Sequence, residues 1–175
     1  MAVGVKKSNV ITNLDLPKPS AAEYGKESGR LRVSSDSFEV AAEDVGDVND
    51  VIELTRLPSS ARIYSIMIYS DELDTHASPT LATDCGIYLT DGTVKDADAF
   101  GSAVTTGWGV AAGAGVEFIT EAGAAPVANI GKRLWEILSE SSDPLVDYDI
   151  CLRLTAVAAT GAAGTLSFVI MYSNN

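Results

Sequence analysis

"YDICLRLTAV", Tyr148 to Val157, alternates almost without a break. Tyr148, Ile150, Leu152, Leu154 and Ala156 fall on one side of an extended chain; Asp147, Asp149, Cys151, Arg153 and Thr155 fall on the other. A two-residue period of this kind marks a β-strand with one face turned to a core. Just upstream, "NIGKRLWEILSE" spaces Ile130, Leu134, Ile137 and Leu138 as one face of a helix. Asp143-Pro144 stops that helix, because the residue before proline avoids the α region. The rest of the chain decides whether strand or helix is the rule.

Strands are the rule. "SFEVAA" turns Phe38, Val40 and Ala42 inward, and "DVNDVIELTRL" sets Val48, Ile52 and Leu54 on one face. "PSS" makes a tight turn, with Pro58 suited to its first central position. In "ARIYSIMIYS" both alternate sets, Tyr64/Ile66/Ile68 and Ile63/Met67/Tyr69, are apolar, which predicts a strand covered on both faces. "DCGIYLT" is followed by Asp91-Gly92, a strong hairpin signal. "KDADAFGSAV" reads as a short helix or turn and "GVEFIT" as a short strand, while 109–115 and 121–126 read as Gly/Ala-rich loops. "TLSFVIMYS" turns Leu166, Phe168, Ile170 and Tyr172 inward. Seven or eight short strands, one helix and no strand–helix–strand repeat predict an all-β fold, an antiparallel β-sandwich or jelly roll. The helix is expected to cap an open end or edge of the sandwich, with Trp135 and Leu138 filling the gap.

The chain of 175 residues fits one domain, with 46% hydrophobic residues available for a core and only 7% aromatics. Residues 1–30, with "LPKPS" and "YGKESG", read as an extended N-terminal arm attached to a body of residues 31–175. Charge divides along nearly the same line. Residues 1–33 hold six basic and three acidic side chains; the remainder holds six basic and 21 acidic ones, for a total of −12. A positively charged arm on a negatively charged body marks an interaction tail. The acidic body argues against a nucleic-acid partner, whose phosphates demand a basic surface. No apolar run approaches the roughly 20 residues that cross a bilayer, and no secretory apolar centre opens the chain, which predicts synthesis in a cytoplasm and no membrane partner.

Chemistry is sparse. His76 is the sole histidine, and no nucleophile-elbow pattern surrounds a serine, so nucleophilic catalysis has little support. Asp71, Glu72, Asp74 and His76 suggest a cation site by type, as do Asp91, Asp96 and Asp98, yet neither group has the spacing of a calcium loop. Both read better as solvated acidic loops. No phosphate-cradling glycine motif occurs, and two tryptophans do not furnish a sugar-cleaving cleft. Cys85 and Cys151 read as small buried hydrophobes in strands, with a cross-strand bridge left open. The expectation is a protein that is not an enzyme and needs no cofactor or metal.

Four segments, "LPSSARIYSIMIYSDELD", "DCGIYLTDGTVKDADAFGSAV", "GKRLWEILSESSDP" and "YDICLRLTAVAATGAAGTLSFVIMY", together resemble small structural proteins encoded in the head-gene clusters of tailed bacteriophages, described as head decoration or auxiliary capsid proteins. The likeness spans roughly residues 47–173 and leaves the arm outside. It implies a virion protein on the capsid exterior that forms a homo-trimer or dimer and clamps neighbouring subunits of the major capsid protein. No catalytic residue transfers with it. The arm's own chemistry supplies candidate partner-binding residues: Lys6, Lys7, Lys18, Lys26 and Arg30 for acidic neighbours, with Val10, Ile11, Leu14 and Leu16 as apolar anchors. The rival expectation is a β-sandwich module of a tail or fibre that binds glycan or another tail protein. Trp108, in "TTGWGV", is the one aromatic available as a sugar platform, although packing within its loop is the simpler role.

Overall fold

The computed structural model describes residues 17, 30–109, 115–119 and 127–174. Among the described residues eight strands follow one another: β1 (Leu31–Val40), β2 (Val51–Pro58), β3 (Arg62–Ser70), β4 (Ala82–Leu89), β5 (Val94–Val104), β6 (Val116–Glu117), β7 (Asp147–Ala156) and β8 (Gly164–Ser173). All pairing is antiparallel, within two four-stranded sheets ordered β1-β8-β3-β6 and β2-β7-β4-β5. First strand pairs with last, second with seventh, third with sixth and fourth with fifth. That nesting is the jelly-roll connectivity, so the expected fold class is the one observed.

Why these segments pair is visible in their buried faces. Leu166, Phe168 and Ile170 of β8 meet Ile66 and Ile68 of β3 across one sheet, and Ile150, Leu152 and Leu154 of β7 meet Cys85 and Ile87 of β4 across the other. The two inner faces form one core, joined by Trp108, Phe118 and Leu134. A register shift between Ile63 and Ser65 lets Ile63 join Ile66 and Ile68 on the inner face. β3 is therefore not covered on both sides by the described residues: Met67 is half-buried and Tyr69 exposed on the outer face.

Three readings need correction. "KDADAFGSAV" is neither helix nor turn but most of β5. It pairs with β4 through Val94, Asp96, Gly101 and Val104, and residues 97–100 bulge out of register between them. The bulge carries the backbone over Gly86, where a methyl group would stand 2.3 Å from the carbonyl oxygens of both Asp96 and Ala97. A glycine there permits the close approach that a side chain would forbid. Second, the helix shrinks to one turn, α1 (Leu134–Ile137), with a 3₁₀ turn at Val127–Asn129. Ile130 is exposed, and the plug is the fully buried Leu134, with Leu138 packed partly against the core and Trp135 only half-buried. Third, Val48 and Ala42 lie outside the strands and are exposed, because Ala42–Val45 form a 3₁₀ turn and Asn49 (φ 75°) turns the chain before β2.

The helix does close an end of the sandwich, as expected. The Leu134 and Trp135 N–H groups donate to the Ala61 and Ser59 carbonyls, tying α1 to the β2–β3 turn. Arg62, fully buried beneath it, donates to the Gly131 carbonyl at 2.7 Å and lies 3.5 Å from Glu136. A buried guanidinium needs such partners to offset its lost hydration. The Asp91-Gly92 hairpin also forms: Gly92 has φ 85° and its N–H donates to the Leu89 carbonyl.

Candidate interaction surfaces

The sandwich has two unlike ends. One gathers the start of β1, the β2–β3 and β4–β5 turns and the connection bearing α1. The other gathers the β1–β2, β3–β4, β5–β6 and β7–β8 loops. At the first end stand exposed apolar side chains: Leu31, Val94, Val127, Ile130, Leu145 and Val146. Leu145 is 86% exposed and has φ 56°, so a leucine is displayed on a left-handed turn. Such display is unfavourable for a side chain in water and marks a contact surface when several cluster. Arg30, the one proposed arm residue among those described, is exposed where the chain enters β1 at this end. Lys6, Lys7, Val10, Ile11, Leu14, Leu16, Lys18 and Lys26 lie outside the described residues.

The opposite end is acidic. A groove of about 470 Å³ runs between the rims of the two sheets, lined by Phe38, Val40, Val51 and Ile52 and by Glu39, Asp44, Asp50 and Glu53. The rims are β1 and β2, joined midway by a 2.7 Å hydrogen bond between the hydroxyls of Ser34 and Thr55. Among the described residues β1 pairs only with β8 and β2 only with β7. None of the four groove acids forms an ion pair among the described residues.

Asp74 is no solvated loop acid. It is fully buried, and its carboxylate accepts five backbone N–H groups: His76 and Thr160 on Oδ1 at 3.3 and 3.0 Å, and Thr80, Leu81 and Ala159 on Oδ2 at 2.7, 3.1 and 3.0 Å. Burial alone would raise its pKa, but the N–H donors of Thr160, Ala159, Thr80 and Leu81 outweigh it and hold the carboxyl far below the ordinary range. An oxygen pair so engaged has nothing left for a cation. Among the described residues no group of three or more His, Cys, Asp or Glu is placed to hold a metal.

His76 is exposed, and its Nδ1 faces the N–H of Ser78 at 3.0 Å rather than a nucleophile. Trp108 is 2% exposed; its indole N–H donates to the Val104 carbonyl and its ring tilts against Phe118. It is core, and the sugar-platform reading of this residue falls. Cys85 and Cys151 are both buried and free. They stand on neighbouring strands but face opposite sides, Cys85 across from Leu152 and Cys151 across from Gly86, so no bridge forms. The outer face near Cys151 holds two charge pairs: Arg56 grips Asp149 with two bonds of 2.6 and 2.8 Å, and Arg153 pairs with Asp84. This is the polar side of the β7 alternation, and it too is buried at Asp149 and Cys151.

The connectivity and the two-sheet core define an antiparallel jelly-roll sandwich. Two solved structures share it. A chain of the cyanophage Pam1 capsid asymmetric unit superposes with a TM-score of 0.59 at 19% identity, over 91% of this chain and 95% of that one. A chain of the capsid of Ralstonia phage GP4 superposes with a TM-score of 0.56 at 24% identity, over 82% of this chain and 85% of that one. No protein-family model and no curated protein matches the chain.

Proposed function

We propose that this chain is a structural component of a phage virion, a decoration protein seated on the outer surface of the capsid. The observation that carries the reading is the near end-to-end likeness to two phage-capsid chains, which takes in almost the whole of each partner rather than one domain of it. The surface supports it. The apolar end displaying Leu145, Val146 and Val127 faces the shell, and the acidic end points outward, away from the packaged nucleic acid. The arm reaches a second subunit, with Lys6, Lys7, Lys18, Lys26 and Arg30 meeting acidic neighbours and Val10, Ile11, Leu14 and Leu16 anchoring it. A tethered second contact tightens binding without enlarging the first. The chain acts as a homo-trimer or dimer that clamps neighbouring major capsid subunits.

The test is co-sedimentation of the purified chain with phage heads lacking it, together with electron microscopy of particles labelled on this protein. Label on heads, with binding weakened by Leu145→Ser and by removal of residues 1–30, is the expected result. Label on tails, or no binding to any particle, overturns the proposal. Undiminished binding without residues 1–30 removes the arm from it.

A further inference from the structure

We infer that the acidic groove between β1 and β2 is a docking site for the chain's own arm, residues 5–18, in the free protein. The inference concerns the unassembled chain and stands or falls whatever particle the chain later joins. Three observations carry it. The groove lies between two strand edges, each with no further strand partner among the described residues, and an edge is a template for an added extended segment. Its lining combines apolar and acidic groups, Phe38, Val51 and Ile52 beside Glu39, Asp50 and Glu53. Residues 5–18, "VKKSNVITNLDLPK", carry the complementary pattern. In an extended chain Val10, Leu14 and Leu16 project to one side, suited to Phe38, Val51 and Ile52, and Lys6, Lys7 and Lys18 supply charge opposite to that of the acids.

Reach and mass action favour the same chain over a second copy. The groove sits toward the far end of β1, where Phe38, Glu39 and Val40 lie seven to nine residues from Leu31, or about 23–30 Å along the strand. Residues 19–30 span up to about 40 Å when extended, enough to bring residues 5–18 to the groove. A segment on so short a tether has an effective concentration of about 1 mM, about a thousandfold above a second copy at about 1 μM. Bound there, the lysines are withheld from other partners until a stronger acidic surface displaces them.

Hydrogen–deuterium exchange of the full chain tests this, read against the full-length variants K6E/K7E/K18E and V10S/L14S/L16S. The expected result is that amides in residues 35–40 and 50–54 exchange about tenfold faster in both variants. Amides of β8 facing β3 stay unchanged and report intact folding. Protection in the parent chain is expected to be the same at about 1 μM and about 100 μM and to fade with salt. Equal exchange in parent and variants overturns the inference. Protection that grows with protein concentration overturns it too, since the occupant is then a second copy.

Discussion

The Oδ1 atom of Asp74 accepts the backbone N–H of Thr160 at 3.0 Å, across 86 residues of sequence. Around that bond the β3–β4 and β7–β8 loops are knitted together. Thr75 donates to the Thr160 carbonyl and Ala162 to the Leu73 carbonyl, while Leu73 and Asp74 both donate to the carbonyl of Trp108 in the β5–β6 loop. The buried carboxylate thereby joins two of the four loops at the acidic end, and the main chain beside it ties in a third.

Asp74→Asn keeps the shape but replaces one oxygen with an NH₂ that faces N–H donors. The expected loss is about 3–5 kcal/mol, since bonds to a charged acceptor are the strong ones and a buried mismatch adds its own penalty. The pH dependence has a definite sign. The folded carboxyl titrates below the unfolded one, so its stabilisation is fully present above pH of about 4 and is lost as pH falls toward the folded value. Urea midpoints measured from pH 7 to pH 3 should fall in the parent chain. The Asn variant should start lower and lack this part of the slope.

Gly86→Ala puts a methyl group 2.3 Å from two carbonyl oxygens of the β5 bulge. Backbone on both sides leaves no flexible tip to yield, so β5 must shift. The expected cost is about 3 kcal/mol or more, at the upper end for overpacking, read as a drop in thermal midpoint. A melt unchanged within error would mean that β5 does not lie over Gly86.

Both thiols should be silent in the native state. Burial raises the Cys85 thiol pKa strongly and pushes that of Cys151 up to about 12. Thiolate is the reactive form, so a disulfide-exchange reagent at pH 8 should titrate no thiol until denaturant is added, and then two. Two native thiols would contradict the packing; none after denaturation would mean a bridge.

Trp108→Ala should cost about 3–5 kcal/mol, the range for emptying a large aromatic site in a core. A role on the surface predicts the reverse pattern, unchanged stability and lost ligand binding. Chemical denaturation of the variant decides between them.

Leu134→Ala removes the buried side chain that closes the α1 end and should cost about 2–5 kcal/mol. Leu145→Ser, eleven residues on, should leave the melt unchanged because its side chain is almost wholly in water. Thermal unfolding of the two variants side by side checks the assignment of plug and display.

Strand alternation was legible because it is a local property: the faces of β7 and β8 could be read from their own ten residues, and Leu166, Phe168 and Ile170 are buried as their spacing requires. The helical spacing of Ile130, Leu134 and Leu138 suggests a longer helix, yet Gly131 (φ 73°) turns the chain and only Leu134–Ile137 form a helical turn. β5 was misread because its buried residues, Ala99, Phe100 and Val104, do not alternate. A bulge breaks the two-residue period that identifies a strand.

By itself the sequence determined that the chain is a strand-built sandwich with one capping helix, an acidic body and a basic N-terminal segment, because period and charge reside in neighbouring residues. Tertiary structure alone decided which acid is a buried anion, that the two cysteines do not bridge, that Trp108 is core, and that β1 and β2 frame an acidic groove. Each of those depends on groups brought together by strand pairing from tens of residues apart, where no local pattern records the partner.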